Sequence, residues 1–280
     1  MNTPRELDEK LNNALDSKGR TWLKQARLQL AESNENIEDI VNKLVFFTST
    51  AKRKLGVALL NGRINSIFNA DKYGQCDKVY LNHWSVTDAA RILLLAETFS
   101  IESFSTDELF QLCYRYSDGG ERSSLLKGLP LLKLSDQSIN FLIDVARTNS
   151  LEIFSALTYK NPWPVIKFPT SAYNQIVLKS LFIGINIFHL EGLRAARNPE
   201  LGRMTADYIQ ERIDASREIP ESSWLAVDAN LLTEQGLKTW ESALQTAPSE
   251  NIKQLALLGC DWQSNLPPRL KSIAQSANNF

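Results

Sequence analysis

Apolar residues recur every three or four positions along almost the whole chain, and this periodicity restricts the fold more than any other feature. The segment 34–54, NENIEDIVNKLVFFTSTAKRK, shows it clearly at Ile37, Ile40, Val41 and Leu44. Such spacing places apolar side chains on one face of an α-helix. Sustained two-residue alternation, which indicates half-buried strands, does not occur in the sequence. We therefore predict an all-α protein, built as an irregular array of many helices.

The C-terminal part of the sequence differs from the rest in its shorter predicted helices. From residue 233 onwards, TEQGLKTWESALQT, PSENIKQLALLGC and PPRLKSIAQSA follow one another with tight turns between them. Short helices joined in this way are typical of the stacked pairs of a HEAT-like α-solenoid. No strict sequence period accompanies them. We predict one helical domain over residues 1–280, in which 233–276 is the candidate for a helical-repeat subdomain.

Polar side chains mark the ends of several predicted helices. Ser85 precedes an apolar segment and has Asp88 three positions later, which predicts a capping box. Asn198 followed by Pro199 predicts the start of another helix. Residues 135–160, SDQSINFLIDVARTNSLEIFSALTYK, predict either one long helix or a bent pair of helices, stopped by Asn161-Pro162.

The four residues AKRK at 51–54 form a tight basic cluster. Cations suit the C-terminal end of a helix, where the backbone carbonyl groups carry partial negative charge. The cluster therefore predicts a helix end, and contact with a phosphate or a lipid is the alternative. The less regular residues 56–84, which contain three glycines, predict a long ordered connection after this helix.

The balance of charges and the cysteine content restrict the class of protein. The 31 basic and 32 acidic residues give a net charge of −1, so no overall field attracts nucleic acid. Cys76, Cys113 and Cys260 form neither a disulfide framework nor a zinc pattern, and reduced thiols in the cytoplasm are expected. The N-terminus lacks an apolar signal core, and the apolar runs are far shorter than the roughly 20 residues of a membrane span. We expect a cytoplasmic protein without a transmembrane segment, for which peripheral contact with a membrane stays open.

The sequence lacks the common catalytic signatures. It contains no GxGxxG or GxxxxGK[ST] phosphate loop and no GxSxG nucleophile elbow. With only two histidines, His83 and His189, a His-Glu-x-x-His zinc site is excluded. We interpret His189, which lies in an apolar stretch, as a structural group, with an acid–base role as the alternative. The sequence therefore assigns no catalytic residue, no metal site and no cofactor.

Polar residues at positions expected to be apolar are the candidates for ligand binding. Asp88 and Arg91 lie three positions apart on a helix that is apolar on nearly every side, so we expect them to pair across one turn. Arg147 and Asn149 interrupt another apolar face, where the asparagine can instead satisfy backbone groups at a bend. For both arginines, a structural ion pair is the alternative to contact with a ligand anion.

A second set of candidates lies in the proline-rich segment NPWPVIKFPTSAYNQIVLKSLFIG. Its helix carries Asn174, Gln175 and Lys179 on one arc, with Leu178 and Phe182 between them. This mixture of apolar lining and a few polar groups is typical of a ligand cleft. We predict that the five side chains face one shared space, and packing under the proline-rich loop is the alternative.

Arg212 is a further candidate, because it falls within the apolar arc of the helix that contains Tyr208 and Ile209. A guanidinium in that position must find a carboxylate, carbonyl groups or a ligand anion, since burial without a partner is prohibitive. The alternative is that only its stem is buried while its head reaches water near the helix end.

Several segments of the chain resemble the EboA family. The resemblance is carried by WSVTDAARILLLA (84–96), KGLPLL (127–132), ARTNSLEIFSALTYKNPWP (146–164), YNQIVLKSLFIG (173–184) and GLRAARNPELGRMTADYIQERIDA (192–215). Together these segments span residues 84–215. The most specific part is a helix, an Asn-Pro stop, NQIVLKSLFIG and then NPELGRM. One departure from the family pattern is that the pair Trp163-Pro164 is followed by VIKF.

The resemblance implies a helical protein encoded beside other ebo genes in bacteria and some algal plastids. The neighbouring products resemble a UbiA-type prenyltransferase, a TatD-type hydrolase, a dehydroquinate-synthase-like enzyme, a sugar-isomerase-like barrel and a phosphodiesterase-like protein. The gene cluster is linked to making or exporting a small secondary metabolite, such as a sunscreen-pigment precursor. No catalytic residues are established for the EboA member, so the resemblance assigns none.

Three functions are consistent with these observations. The first is a non-enzymatic accessory or scaffold protein that binds another ebo-cluster protein or a small lipophilic metabolite. The second is an enzyme for a prenylated or phosphorylated intermediate, in which Arg91, Arg147, Lys179 and Arg212 neutralise an anion. The third is a purely structural solenoid whose polar residues form internal ion pairs. The Asp-rich motif with which helical terpenoid enzymes hold magnesium is absent, and this favours the first function over the second.

Overall fold

The computed structural model describes residues 5–32, 36–68, 73, 76–99, 104–245, 250–263 and 265–277. Helices dominate this part of the chain, and the all-α prediction is confirmed. The helices are α1 Arg5–Ala14, α2 Ser17–Ala31, α3 Ile37–Leu55, α4 Val86–Thr98, α5 Thr106–Tyr116, α6 Gly119–Lys127, α7 Ser138–Ala146, α8 Leu151–Thr158, α9 Trp163–Lys167, α10 Thr170–Phe182, α11 Leu193–Ala196, α12 Pro199–Asp214, α13 Glu234–Gln245, α14 Glu250–Cys260 and α15 Pro268–Ala277. Short 3₁₀ turns occur at Leu129–Leu131, Ile187–His189, Glu221–Leu225 and Ala229–Leu231.

The chain divides into two compact units, Met1–Phe168 and Pro169–Phe280. The first unit contains α1 to α9, and the second contains α10 to α15. Pro169 occupies the N-cap position of α10, and because proline has no backbone N–H, α9 cannot continue into α10. A single domain over 1–280, with a helical-repeat subdomain at 233–276, stays a prediction.

Helix α4 forms the centre of the first unit. Eleven of its 13 residues are buried, and it contacts α1, α2, α3 and α6. A helix surrounded in this way has no solvent-facing stripe, which explains why its sequence is apolar on nearly every side. The predicted capping box is confirmed, since the side chain of Ser85 accepts from the N–H of Asp88 and the Asp88 carboxylate accepts from the N–H of Ser85. The box satisfies donors that would otherwise be buried without partners.

Helix α3 ends at the basic cluster, as the sequence predicts. Lys52, Arg53 and Lys54 occupy its last turn. Gly56 follows with a φ of 76°, in the left-handed region that favours glycine. The three cations therefore lie beside the carbonyl groups that the end of the helix leaves free.

The connection between α3 and α4 contains the only strands among the residues that the structure describes. Strand β1 Arg63–Asn65 pairs antiparallel with strand β2 Lys78–Tyr80, and Ile64 lies opposite Val79. Both of these central side chains are buried. Strands of three residues are too short to give the alternation from which a sheet is predicted. Residues 69–72, 74 and 75 of the predicted connection lie outside the described residues.

Residues 135–160 contain a pair of helices, which was one of the two predicted arrangements. Helix α7 ends at Ala146, and α8 begins after Ser150, whose side chain accepts from the N–H of Ile153 at 3.4 Å. A serine that bonds to the backbone in this way favours a new helix start over a continuous helix.

In the second unit, α12 begins at the predicted cap. Asn198 accepts a hydrogen bond from the N–H of Leu201 at 3.0 Å, and Pro199 occupies the first turn. Helix α12 contacts α10 and α13, while α13 contacts both α14 and α15. Trp224 and Trp240 stack beside these helices with ring centroids 5.3 Å apart. A solenoid arrangement of the C-terminal helices stays a prediction.

Two expectations concern membrane spans and thiols. Along the described ranges, each helix is either too short or too polar to cross a bilayer. Cys76, Cys113 and Cys260 are buried and form no disulfide with one another, as expected from their spacing. Burial raises the pKa of Cys113 and of Cys260 to about 12, so neither is a thiolate at neutral pH.

Candidate functional site

A buried polar network joins α4 to α6 in the first unit. One oxygen of Asp88 accepts from the hydroxyl of Ser124 at 2.6 Å, and the other accepts from Nζ of Lys127 at 3.0 Å. Burial by itself raises the pKa of Asp88, but Lys127, Ser124 and Ser85 outweigh it, and the net effect is a lowered pKa. The carboxylate is therefore ionised at neutral pH, and both of its oxygens are occupied.

Arg91 extends this network to α3. Its guanidinium donates to the carbonyl oxygen of Thr48 and to the hydroxyl of Ser124, both at 3.0 Å. Its Nη2 lies 3.9 Å from Oε1 of Glu121, which is an ion-pair distance but too long for a hydrogen bond. Asp88 and Arg91 thus meet through Ser124 instead of pairing directly across one turn. The reason is that α6 supplies a separate ionic partner to each of them.

A small cavity of about 10 Å³ lies beside the ion pair of Arg91 and Glu121. Thr48 and Ser117 contribute to its wall together with apolar side chains. Oε1 of Glu121 is buried and accepts no hydrogen bond in the structure. The nearby charge of Arg91 therefore offsets the cost of burying this oxygen. A cavity of this size has room for about one water molecule, whereas small-molecule pockets measure roughly 300–1,000 Å³. The cavity is therefore too small to hold a metabolite.

His83 and Lys127 form the more accessible side of the network. Lys127 Nζ donates to the carbonyl oxygen of His83 at 3.2 Å, and the His83 ring packs edge-on against Tyr159, with centroids 5.3 Å apart. Burial lowers the pKa of His83 to about 4, and the charges of Lys127 and Lys160 act in the same direction. The imidazole is therefore neutral at physiological pH. No local sequence signal distinguishes this histidine, because its neighbours come from distant segments.

The lowered pKa of His83 predicts a stability that depends on pH. Because the unfolded histidine titrates near 6.5 and the folded one near 4, unfolding takes up a proton between these values. As far as His83 is concerned, the free energy of unfolding therefore has its full value above pH 6.5 and decreases as the pH falls towards 4. After a discount for its partial exposure, we expect about 2 kcal/mol of unfolding free energy to be lost between neutral pH and the lower end of this window.

Urea unfolding of the wild type and of His83→Gln across this pH range measures the effect. The variant should lack this part of the pH dependence. The effect of Asp88 should remain in both proteins, and because its pKa is lowered it appears at pH values below the ordinary 3.8. Identical pH profiles for the two proteins would contradict a neutral, buried His83.

Asn161, which the sequence marks as part of an Asn-Pro helix stop, is a buried junction between helices. Its amide donates to the carbonyl oxygens of Leu126 at 3.0 Å and Ala156 at 3.2 Å, and its side-chain oxygen accepts from the N–H of Trp163 at 3.1 Å. The preceding Lys160 has a φ of 49°, which is uncommon for a residue other than glycine. The asparagine thus ties together α6, α8 and the start of α9 at a turn with unusual backbone geometry.

Arg147 and Asn149 lie on the surface between α7 and α8. Arg147 pairs with Asp144 at 2.7 Å, and both side chains are mostly exposed. Asn149 is exposed as well. The two residues interrupt the apolar pattern because one helix ends and another begins there, and they stand apart from the network around Asp88. A ligand role for either residue stays a prediction.

Asn174 is 1% exposed and forms a reciprocal pair with the side-chain amide of Asn198, at 3.0 and 3.2 Å. This contact joins α10 to the cap of α12. Because its amide is turned towards Asn198, Asn174 does not share an open surface with Gln175. The five side chains predicted to face one space differ in exposure: Asn174 and Leu178 are buried, Lys179 is half-buried, and Gln175 and Phe182 are exposed. A shared space for all five stays a prediction.

An exposed apolar surface follows at the end of α10. Phe182, Ile183 and Phe188 are 57%, 42% and 50% exposed, and we call these three residues the apolar edge. Gly184, with a φ of 78°, turns the chain between them. Lys179 lies one helical turn before Ile183, and burial lowers its pKa. Three large exposed apolar side chains within a short stretch of chain make this segment a candidate interaction site.

Arg212 adjoins the apolar edge through Tyr208. The ring of Tyr208 packs against the ring of Phe182, with centroids 4.7 Å apart, and the guanidinium of Arg212 lies 5.9 Å from the Tyr208 centroid. Nε of Arg212 donates to the carbonyl oxygen of Glu218 at 2.8 Å. Arg212 as a whole is half-buried, and a backbone carbonyl is one of the partners expected for its guanidinium. A ligand role for Arg212 stays a prediction.

His189 also borders the apolar edge. Its ring centroid lies 5.6 Å from that of Phe188, and the residue is half-buried. This is a packing contact, and a ligand or acid–base role for His189 stays a prediction. Within the residues that the structure describes, no three His, Cys, Asp or Glu side chains are grouped so as to hold a metal ion.

A family model with the description "metabolite traffic protein EboA" matches residues 4–228. The match covers well over half of the chain and extends beyond the resembling segments at 84–215 in both directions. It includes the network around Asp88 and the apolar edge. No curated protein matches the chain, and no solved structure matches it.

Proposed function

The chain belongs to the EboA family of metabolite traffic proteins, and we propose that it acts there as a non-enzymatic accessory protein. In this proposal it binds a second protein of the ebo cluster and thereby supports the biosynthesis or export of a small secondary metabolite, such as a sunscreen-pigment precursor. The observation that carries the proposal is the apolar edge, which lies within the residues matched by the family.

The exposure of the apolar edge suits a partner protein better than the metabolite itself. Small-molecule sites are concave and cover about 70–90% of the ligand surface. Phe182, Ile183 and Phe188 instead leave 57%, 42% and 50% of their surface in solvent. Protein interfaces combine apolar and aromatic anchors with a polar rim. Gln175 and Lys179, on the preceding turns of α10, supply such a rim.

The contacts of the buried network also support a binding role over a catalytic one. A catalytic acid or an anion-binding arginine needs a face that is free to meet the substrate. Asp88 is occupied by Ser124 and Lys127, and Arg91 is occupied by Thr48 and Ser124. These groups are used by the protein's own chain, so they contribute to stability in this proposal.

Variants of the apolar edge test the proposal. The wild type, Phe182→Ser/Phe188→Ser and the control Leu231→Ser are titrated calorimetrically against each purified neighbouring product of the gene cluster. Leu231 is 51% exposed, lies in the same unit and falls outside the residues matched by the family. Because buried aromatic anchors contribute about 2 kcal/mol or more to an interface, we expect the double variant to bind its partner at least about thirtyfold more weakly. The control should bind like the wild type.

Two outcomes would contradict the proposal. One is that none of the neighbouring products binds the wild type. The other is that the double variant binds as tightly as the Leu231→Ser control. Binding of the purified metabolite without any partner protein would replace the protein partner with a direct metabolite site.

A further inference from the structure

A second exposed surface lies in the first unit, where α3 ends. Lys52, Arg53 and Lys54 are exposed there, and none of them pairs with a carboxylate of the described residues. Val57 and Leu59 follow directly and are 59% and 64% exposed. We call these five residues the basic–aliphatic edge. The edge thus combines three cations with two exposed aliphatic side chains, although the net charge of the whole chain is only −1.

The aliphatic part of this edge is held in place by the start of α4. Three hydrogen bonds fix it: the N–H of Leu60 to the carbonyl of Trp84 at 2.8 Å, the N–H of Val86 to the carbonyl of Ala58 at 2.8 Å, and the hydroxyl of Thr87 to the carbonyl of Gly56. Leu59 also forms an isolated antiparallel bridge with Ser85. The backbone of this segment is therefore not free to rotate Val57 and Leu59 into the core.

Further cations lie near the same end of α3. Gly19 of α2 packs against Leu55, since a β-carbon added to Gly19 would lie 3.3 Å from Cδ2 of Leu55. Lys18 and Arg20 flank this glycine and are exposed. Asp16, the acidic residue of the same turn, caps α2 through the N–H of Gly19 at 2.7 Å, and its charge offsets one of these two cations. The basic–aliphatic edge thus lies in a locally cationic region.

We propose that the basic–aliphatic edge docks the protein on the surface of a membrane that contains anionic lipids. Clusters of lysine and arginine are attracted to anionic headgroups, and exposed aliphatic side chains enter the boundary between headgroups and acyl chains. The aliphatic pair favours a lipid surface over nucleic acid, because a phosphate backbone pairs with cations but offers Val57 and Leu59 no apolar environment. This docking does not rest on the proposed function, since it uses different residues in the other unit.

Co-sedimentation with vesicles tests the docking. The full chain is mixed with vesicles of phosphatidylcholine alone and with vesicles of phosphatidylcholine and phosphatidylserine, at low and high salt. We expect binding to the anionic vesicles that weakens as salt screens the charges. The variant Lys52→Gln/Arg53→Gln/Lys54→Gln should bind them about 100-fold more weakly, since each cation near an anionic bilayer contributes about a fivefold factor. Val57→Ser/Leu59→Ser should lower binding by about tenfold through loss of apolar burial.

A matched control removes the same charge elsewhere in the first unit. Arg115, Lys133 and Arg147 are exposed, and Arg115→Gln/Lys133→Gln/Arg147→Gln should keep binding within about twofold of the wild type. Circular dichroism and the melting temperature establish that all variants are folded. The proposal is wrong if the wild type binds both kinds of vesicle equally or if the two triple variants bind alike. Tighter binding to a double-stranded DNA oligonucleotide than to the anionic vesicles would also overturn it.

Discussion

Arg91→Met is expected to lower the free energy of unfolding by about 3–5 kcal/mol, the cost of breaking a buried ion pair from one side. The substitution removes the cation beside the buried carboxylate of Glu121. It also removes the side-chain donor that reaches the carbonyl oxygen of Thr48 and the hydroxyl of Ser124. Methionine keeps much of the length and apolar volume of the side chain, so the loss reports on charge and hydrogen bonds. Urea unfolding followed by circular dichroism measures it.

Two further variants show whether the effect comes from the buried network. Arg147→Met breaks an ion pair that is mostly exposed, and it should change stability by less than about 0.5 kcal/mol. Adding Glu121→Gln to Arg91→Met removes the uncompensated charge, so the double variant should recover about 1 kcal/mol or more. A loss below about 1 kcal/mol for Arg91→Met would show that the network does not stabilise the fold.

The second large effect is expected at Asn161. Asn161→Ala removes the side-chain donor to the carbonyl oxygens of Leu126 and Ala156, and it removes the acceptor of the buried N–H of Trp163. Each unsatisfied group costs about 1–3 kcal/mol, so we expect a combined loss of about 3–5 kcal/mol in unfolding free energy. Thermal and urea unfolding of the purified variant measure the loss.

Asn149→Ala is the matched control, because Asn149 is exposed in the neighbouring helix connection. It should stay within about 0.5 kcal/mol of the wild type. Asn161→Asp keeps the acceptor for Trp163 but presents a carboxylate to two carbonyl oxygens, so it should destabilise at least as much as Asn161→Ala. Equal effects of the two alanine substitutions would mean that the three hydrogen bonds of Asn161 contribute little.

The helical class and several helix ends could be predicted because their causes are local. The capping box needs only Ser85 and Asp88, three positions apart, and the start of α12 needs only Asn198 and Pro199. The basic cluster at 51–54 marks the end of α3 for the same reason. The two short strands could not be predicted, because they form through pairing between segments and carry only three residues each.

The partners of the polar residues could not be predicted, because they are distant in the chain. Arg91 binds the carbonyl of Thr48, 43 positions away, and Asn174 pairs with Asn198, 24 positions away. A helical wheel gives the direction of a side chain but not the element that packs against it. Asn174 and Gln175 lie side by side on the wheel. In the structure the cap of α12 binds and buries Asn174, whereas Gln175 is exposed.

The enclosure of α4 by four neighbouring helices also determines the order in which the first unit can assemble. Helices α1, α2 and α3 precede α4 in the chain, but the groups that engage Asp88 and Arg91 on α6 come after it. Without α6, among the described residues Asp88 keeps only Ser85 as a hydrogen-bond partner and Arg91 keeps only the carbonyl oxygen of Thr48, so part of the cost of burying these two charges is not compensated. We therefore expect a chain truncated before α6 to leave apolar faces of α4 exposed to chaperones or to other chains.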